Sequence, residues 1–226
     1  MEMSRGPSPP AHACSRRCHM SSAVPKQYLV VDFECLQPNE WQSVGIVLYE
    51  RTATGGTILR QFHTACDRGY ESMTPSTRDF WKKHYHAFLF NFQRGKNKPV
   101  AQEERAICEF ITHLKREYPK FHLISDAPEY DIALINGILG RHGCQVMSHR
   151  SRKVYFQTIC SWSSKITLDL LGIPICTTDI VGLAALKTKG LLPHTPIFDC
   201  LRILNEYLCV QDSILAYRAV TRVVRP

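Results

Sequence analysis

The segment YLVVDFEC, residues 28–35, places two acids at the end of a run that is otherwise apolar. The four residues before the acids are large or β-branched, which predicts a strand covered on both faces. Because side chains alternate along a strand, Asp32 and Glu34 point to one side and Phe33 points to the other. Two ionised carboxylates this close repel each other unless a cation lies between them or water reaches them. The pair therefore indicates either a metal site or the start of a solvated loop.

The size of the chain limits the number of domains that it can form. Its 226 residues, 44% of them hydrophobic, are enough for one well-packed core. No apolar run approaches the roughly 18 residues that cross a bilayer, and the N-terminal segment lacks the apolar centre of a secretion signal. We therefore expect an intracellular protein, in the cytoplasm or the nucleus, with no membrane contact.

Basic residues are concentrated in two segments that contain no acid. Residues 80–102 hold five Lys or Arg and residues 141–165 hold another five, in a chain whose net charge is +8. Each segment is either a solvated face or a surface for a polyanion, and the presence of both favours nucleic acid as the partner. The second segment contains three residues that we assign to substrate binding and call the 150–153 cluster: Arg150, Arg152 and Lys153.

The order of helical and extended patterns indicates the fold class. Residues 1–25 are rich in Pro, Ser and Arg, which predicts a disordered tail. Three strands within residues 28–65 predict an antiparallel meander. Further elements are predicted in this order: a helix after Pro75, a helix at about 102–117, a strand at 121–126, a helix at about 130–141, a strand or loop at 154–160, a helix around 177–190 and a helix at about 197–208.

This succession predicts an α/β fold in which helices flank a mixed sheet, an antiparallel meander followed by parallel strands. The domain is expected over residues 26–212, and residues 213–226 are expected to form a basic C-terminal tail. In the first helix, one face carries four aromatic residues that suit either a core or a base-stacking platform: Trp81, Tyr85, Phe88 and Phe92.

Two later segments contain further candidates for an acidic site. LISDAPEYDIALIN places Asp126 at a strand end and Asp131 in the first turn of the next helix, where an acid also simply complements the helix dipole. HTPIFD places His194 in a loop and Asp199 near the start of the last helix. A histidine in a loop titrates near neutrality, as a general base must.

Taken in order, these segments resemble the three motifs of the DEDD superfamily of 3′ to 5′ exonucleases, which have a ribonuclease H-like fold. VVDFE is similar to the first motif, SDAPEYDIALI to the second and HTPIFD to the third. His194 matches the histidine-bearing (DEDDh) branch, because the tyrosine branch places its tyrosine where this chain has Thr195. The resemblance covers residues 27–210, and TPSTRDFW with SDAPEYD is similar to small stand-alone phage and bacterial members, including exoribonucleases.

The resemblance implies a metal-dependent enzyme. It implies two Mg²⁺ or Mn²⁺ ions about 4 Å apart, with Asp32, Glu34, Asp131 and Asp199 as their ligands and as catalytic residues. It implies that His194 takes a proton from the attacking water. The reaction would remove nucleoside 5′-monophosphates from the 3′ end of single-stranded RNA or DNA, with RNA slightly favoured.

Substrate contacts and alternatives stay open at this stage. Bases splayed into the cleft would meet Phe33 and Trp41, although Phe33 also suits the core, and Asp126 is expected beside the site with its role at the metals undecided. A different function is a catalytically silent module of the same fold that binds nucleic acid or docks on a partner. A homodimer is also left open.

Overall fold

A computed structural model describes residues 26–37, 40–52, 55–68, 73–118, 120–147, 159–188 and 192–223. The strands are β1 (Lys26–Gln37), β2 (Glu40–Thr52), β3 (Gly55–Ala65), β4 (His122–Ser125) and β5 (Ile159–Cys160). The helices are α1 (Pro75–Lys83), α2 (Tyr85–Gly95), α3 (Val100–Glu117), α4 (Pro128–Arg141), α5 (Ser161–Leu170), α6 (Leu183–Thr188) and α7 (Pro196–Val223). The predicted tail, residues 1–25, and the 150–153 cluster lie outside the described residues.

The strands form one mixed sheet in the order β3-β2-β1-β4-β5. β1, β2 and β3 pair in antiparallel fashion, whereas β4 pairs parallel to β1 and β5 pairs parallel to β4. The mixed α/β sheet predicted from the sequence, with a meander followed by parallel strands, is therefore confirmed. Of the segment 154–160, which was predicted as a strand or a loop, the structure describes residues 159–160, and these form the short β5.

Alternation along β1 divides the core between the two faces of the sheet. Leu29 and Val31 lie in the cluster that includes side chains of α3 and α4, whereas Tyr28 and Val30 lie in the cluster formed with α7. All four are fully buried, as the apolar run predicted. Asp32 and Glu34 continue the alternation that points towards α7, so their orientation is set by the packing of the strand that precedes them.

α7 approaches the sheet most closely where β2 lies beside the acids. Gly45 pairs with Asp32 across β1 and β2. A Cβ atom on Gly45 would lie 2.5 Å from the carbonyl carbon of Pro196, the first residue of α7. Only glycine leaves room for this contact, and the contact brings the first turn of α7 next to the end of β1.

Three helical features differ from the sequence prediction. The helix after Pro75 is interrupted at His84, so Tyr85 is 54% exposed while Trp81 and Phe88 share one buried cluster. The break changes the helical phase, which allows α1 and α2 each to bury an aromatic side chain against Leu36 of β1. α7 runs on to Val223, well past the predicted end near residue 208, and α5 was not predicted. Among the described residues no helix is both long and apolar enough to cross a membrane.

Candidate metal centre

Acids from β1 and α7 meet at the edge of the sheet. Asp32 and Asp199 are both buried, and Glu34 is partly buried. Among the described residues, one oxygen of each buried carboxylate has no hydrogen-bond partner: Oδ2 of Asp32 and Oδ2 of Asp199. A buried polar atom without a partner is unfavourable in a folded protein, so these two oxygens indicate that a cation belongs beside them.

Asp131 joins the site from the first turn of α4, and its orientation is fixed by two hydrogen bonds. The backbone N–H of Phe33 donates to its Oδ1 at 3.1 Å, and the hydroxyl of Ser125 donates to its Oδ2. The serine hydroxyl in turn accepts from the N–H of Ala127 at 3.0 Å. α4 and β1 are thereby connected through a carboxylate, which places the second motif beside the first.

His194 lies in the turn that leads into α7, and its backbone is in the left-handed region, with φ of 61°. Its ring offers a nitrogen within 4.8 Å of carboxylate oxygens of Glu34 and Asp199. The left-handed backbone is sparsely populated by residues other than glycine, so the surroundings must stabilise it. The side chain of the buried Asn91 does so by donating to the carbonyl oxygen of His194 at 3.1 Å.

The ring of His194 is held by two rings from the α1–α2 junction. Its centroid is 4.0 Å from that of His84 and 5.0 Å from that of Phe80, which meets it edge-on. Sequence reasoning missed both His84 and Asn91, since nothing in the sequence indicates that helices 100 residues earlier contact this loop. The junction at His84 therefore contacts the candidate site as well as separating α1 from α2.

The electrostatics of the centre disfavour ionised acids. The pKa of Asp32 is raised well above its ordinary range, first by burial and then by the charges of Glu34 and Asp199. Burial and the neighbouring acids likewise raise the pKa of Glu34, and burial raises the pKa of Asp131 to about 7. The pKa of His194 is lowered, chiefly by burial. Carboxylates that repel one another become favourable as a group when divalent cations bind between them.

The donor set fits hard divalent ions. The carboxylate oxygens of Asp32, Glu34, Asp199 and Asp131 are the ligand type that Mg²⁺ and Mn²⁺ prefer, and the set contains no thiolate. Glu34, His194 and Asp199 also form a group close enough to hold one ion together. A histidine nitrogen at this point can therefore serve either as a ligand or as a base.

Arg202 is a further residue that the sequence did not indicate. Its Nε donates to Asp199 at 2.9 Å, its Nη2 to Asp126 at 3.1 Å and its Nη1 to Glu206 at 3.3 Å. The first of these bonds occupies Oδ1 of Asp199 and leaves Oδ2 directed elsewhere. Arg202 thus orients Asp199 and fixes Asp126 at the margin of the centre. Arg202 follows Asp199 by three residues on a helix, and this spacing was the indication in the sequence that the two side chains pair.

The aromatic substrate contacts predicted from the sequence require correction. Trp41 is 1% exposed and packs edge-on against Phe33, with ring centroids 6.1 Å apart. Trp41 is therefore a core residue, and the prediction that it contacts bases is wrong. The ring of Phe33 is buried in the same cluster, which agrees with the alternative prediction that Phe33 is a core residue. Its contribution to the centre is made by its backbone N–H.

The basic segments are partly neutralised by acids from outside them. Lys82 pairs with Asp79 at 3.0 Å, and Arg141 pairs with Glu104 at 2.5 Å. In the second segment, Lys165 lies 3.7 Å from a carboxylate oxygen of Glu206. The charge of +5 counted for each acid-free segment therefore overstates its local positive charge, because folding brings acids from other segments next to it.

Comparison with known proteins reveals similarity of structure. No protein-family model matches the chain, and no curated protein matches it in sequence. In structure it is similar to E. coli exonuclease I bound to zinc and single-stranded DNA, with a TM-score of 0.50 and 12% identity over 85% of this chain. A second structure of exonuclease I has a TM-score of 0.51 and 11% identity, also over 85% of this chain. The nuclease domain of 3′hExo, a DEDDh family member bound to rAMP, matches with a TM-score of 0.47 and 14% identity over 85% of this chain and 95% of that domain.

These similarities confirm the ribonuclease H-like exonuclease fold that the sequence resemblance implied. The match extends over 41% of the first exonuclease I chain and 43% of the second. The chain therefore corresponds to less than half the length of those proteins. At this level of identity the comparison establishes the fold, while the chemistry must be inferred from the residues of the site.

Proposed function

We propose that this chain, which has the fold of exonuclease I, is a metal-dependent 3′ to 5′ exonuclease. One observation supports this most directly. Glu34 and Asp199 meet His194 at one edge of the sheet, and the charges of Asp131 and Asp199 act on Asp32 and Glu34. Two buried oxygens of this group, one on Asp32 and one on Asp199, have no hydrogen-bond partner among the described residues. A folded chain retains such an arrangement at a cost in stability, which is typical of sites that bind cations and charged substrates.

In this proposal, Asp32, Glu34, Asp131 and Asp199 hold Mg²⁺ or Mn²⁺. When bound, such ions polarise a phosphoryl oxygen and lower the pKa of water. The acids contribute by their fixed orientation: Ser125 and the Phe33 N–H hold Asp131, and Arg202 holds Asp199. An anionic phosphodiester that approaches this group of acids without a cation would be repelled by the carboxylates that are ionised, so the same residues make turnover dependent on divalent ions.

His194 is proposed to accept the proton of the attacking water at a ring nitrogen. Its lowered pKa keeps the imidazole neutral, and therefore able to accept a proton, near pH 7. Burial, Asn91 and the rings of His84 and Phe80 hold the side chain beside Glu34 and Asp199. Turnover should consequently fall as the pH decreases through the lowered pKa of His194, because the protonated ring cannot act as a base.

The substrate is proposed to be the 3′ end of single-stranded nucleic acid, and the products nucleoside 5′-monophosphates. RNA is slightly favoured over DNA on the sequence resemblance to exoribonucleases. The acids act on phosphates that both polymers share, so preference between them depends on contacts to the 2′-hydroxyl. The 150–153 cluster is proposed to contact the strand further from its end.

A time course on 5′-labelled single-stranded RNA and DNA of equal sequence tests this function. The full chain is incubated with Mg²⁺, with Mn²⁺ and with EDTA, beside the isosteric variant Asp32→Asn. The control is Glu129→Gln, which removes an exposed acid from the first turn of α4. We expect a ladder that shortens from the 3′ end in metal, for the wild type and the control only.

Three results would contradict the proposal. Label released at once as a mononucleotide would indicate cleavage from the 5′ end. Uncut strands in both metals, with binding of the strand retained, would indicate the silent nucleic-acid-binding module instead. Equal ladders from the wild type and Asp32→Asn would place the nuclease chemistry outside the described centre.

A further inference from the structure

A second cavity of about 440 Å³ lies at the end of the sheet opposite the metal centre. It opens between the start of β1, the end of β2, α5 and the C-terminal half of α7. Lys26 in its wall precedes Asp32 by six residues of strand, which corresponds to about 20 Å. The volume is within the range of sites for small organic ligands, about 300–1,000 Å³.

Of the described residues that line this cavity, three are cations and none is an acid. The cations are Lys26 and Arg218, which are exposed, and Arg51, which is partly buried. Lys26 and Arg51 are directly paired across β1 and β2. Like charges in this arrangement destabilise a sheet unless an anion compensates them. Asp212 pairs with Arg51 at 2.5 Å. Over the described part of the chain, neither Lys26 nor Arg218 has a carboxylate partner, so the cavity carries uncompensated positive charge.

The rest of the lining combines apolar and hydrogen-bonding groups. Leu168 of α5 and Val210, Ile214 and Leu215 of α7 form the apolar part. The amide of Gln211 lies among them, donating to the hydroxyl of Tyr207 at 2.5 Å and accepting from that of Tyr28 at 3.0 Å. The hydroxyls of Ser164 and Thr167 also line the cavity. An apolar surface interrupted by fixed polar groups suits a flat heterocycle with polar edges.

We propose that this cavity binds a nucleoside 5′-monophosphate. The phosphate would lie between Lys26 and Arg218, since a guanidinium and an ammonium together neutralise a dianion. The base would lie on the apolar part, with its polar edge towards Gln211. The Gln211 amide and the hydroxyls of Ser164 and Thr167 already bond within the chain, and each has further hydrogen-bonding capacity. A nucleobase edge can use that capacity, whereas the acyl chain of a fatty acid cannot. The site is separate from the metal centre and does not depend on the proposed exonuclease activity.

Isothermal titration calorimetry of the full chain in EDTA tests this site. Without divalent ions the acidic centre repels phosphate, so any binding of AMP reports on the cationic cavity. The probes are AMP, adenosine, inorganic phosphate and laurate. The variants are Lys26→Gln and Arg218→Gln, and the control is Arg105→Gln, which removes a cation from a different cavity beside α3. Circular dichroism verifies that each variant is folded.

We expect AMP to bind at least tenfold more tightly than adenosine or phosphate. Each variant of the cavity should weaken AMP binding about tenfold, as expected for the loss of one charge-assisted contact, while Arg105→Gln leaves it unchanged. The proposal is overturned if AMP gives no heat of binding. It is also overturned if both cavity variants bind AMP as the wild type does, or if laurate binds more tightly than AMP.

Discussion

Replacing Asp131 by asparagine should stabilise the metal-free protein. The pKa of this buried carboxyl is raised to about 7 from an ordinary 3.8, chiefly by burial. Between these two pH values the folded chain holds a proton that the unfolded chain releases, so the free energy of unfolding falls as the pH rises. The full difference is worth about 4 kcal/mol once the pH exceeds 7. Asparagine does not ionise, and this loss of stability is therefore absent from the variant.

Part of the gain is offset by a hydrogen bond. Asparagine still accepts from the N–H of Phe33, but it presents an amide to Ser125 in place of a carboxylate. This exchange costs about 1 kcal/mol. We therefore expect Asp131→Asn to be more stable than the wild type by about 3 kcal/mol at pH 8.5 in EDTA. For a chain of this size the melting temperature should rise by roughly 6–12 °C.

Thermal unfolding monitored by circular dichroism from pH 4 to pH 9 measures the effect, with Glu129→Gln as control. The difference in melting temperature between Asp131→Asn and the wild type should decrease towards pH 4, where folded and unfolded wild-type chains both hold the proton. In saturating Mn²⁺ the wild type should melt at a higher temperature than Asp131→Asn, because the ion stabilises the wild type more than the variant. A variant that melts at or below the wild-type temperature in EDTA at pH 8.5 would refute the reasoning that burial of an ionisable carboxyl at position 131 destabilises the metal-free protein.

Three further predictions concern packing, positioning and charge. Gly45→Ala should destabilise the protein by about 1–3 kcal/mol, seen in its melting temperature, because the new Cβ overlaps backbone atoms of Pro196; unchanged stability would contradict that contact. Asn91→Ala should lower kcat roughly tenfold at unchanged metal affinity, since it frees the carbonyl of His194; an unaltered kcat would remove it from the site. Neutralising the 150–153 cluster should reduce the salt slope of strand binding by about 2, and an unchanged slope would exclude the cluster from the strand's path.

The candidate metal centre was predictable where the periodicity of a strand determines the direction of its side chains. The alternation of β1 alone implied that Asp32 and Glu34 share one side, and burial of the preceding apolar residues fixes that side towards α7. For this pair a short stretch of sequence contains the physical determinant. His194 and Asp199 were assigned through the resemblance of HTPIFD to the third exonuclease motif, because their spacing alone is weak evidence.

The sequence did not indicate contacts made between distant segments. The sequence allowed Trp41 to contact a base, because its burial depends on Phe33 and on helices that come later in the chain. The interruption at His84 depends on which side chains can be buried together against Leu36. Arg202 lies near Asp199 in sequence, but its second contact, with Asp126, depends on how α7 crosses the end of β4. Such contacts can be identified only once the tertiary structure is known.

A titration with Mn²⁺ at pH 7.5, followed by electron paramagnetic resonance, tests most directly whether the converging acids form a metal centre. We predict that the wild type, Glu129→Gln and His194→Ala bind the ion with similar affinity, and that Asp32→Asn and Asp199→Asn lose most of it. Turnover by His194→Ala should nevertheless be abolished, because the histidine is proposed as a base. A wild type that does not bind Mn²⁺, or a His194→Ala variant that loses affinity as severely as the acid variants do, would contradict this assignment.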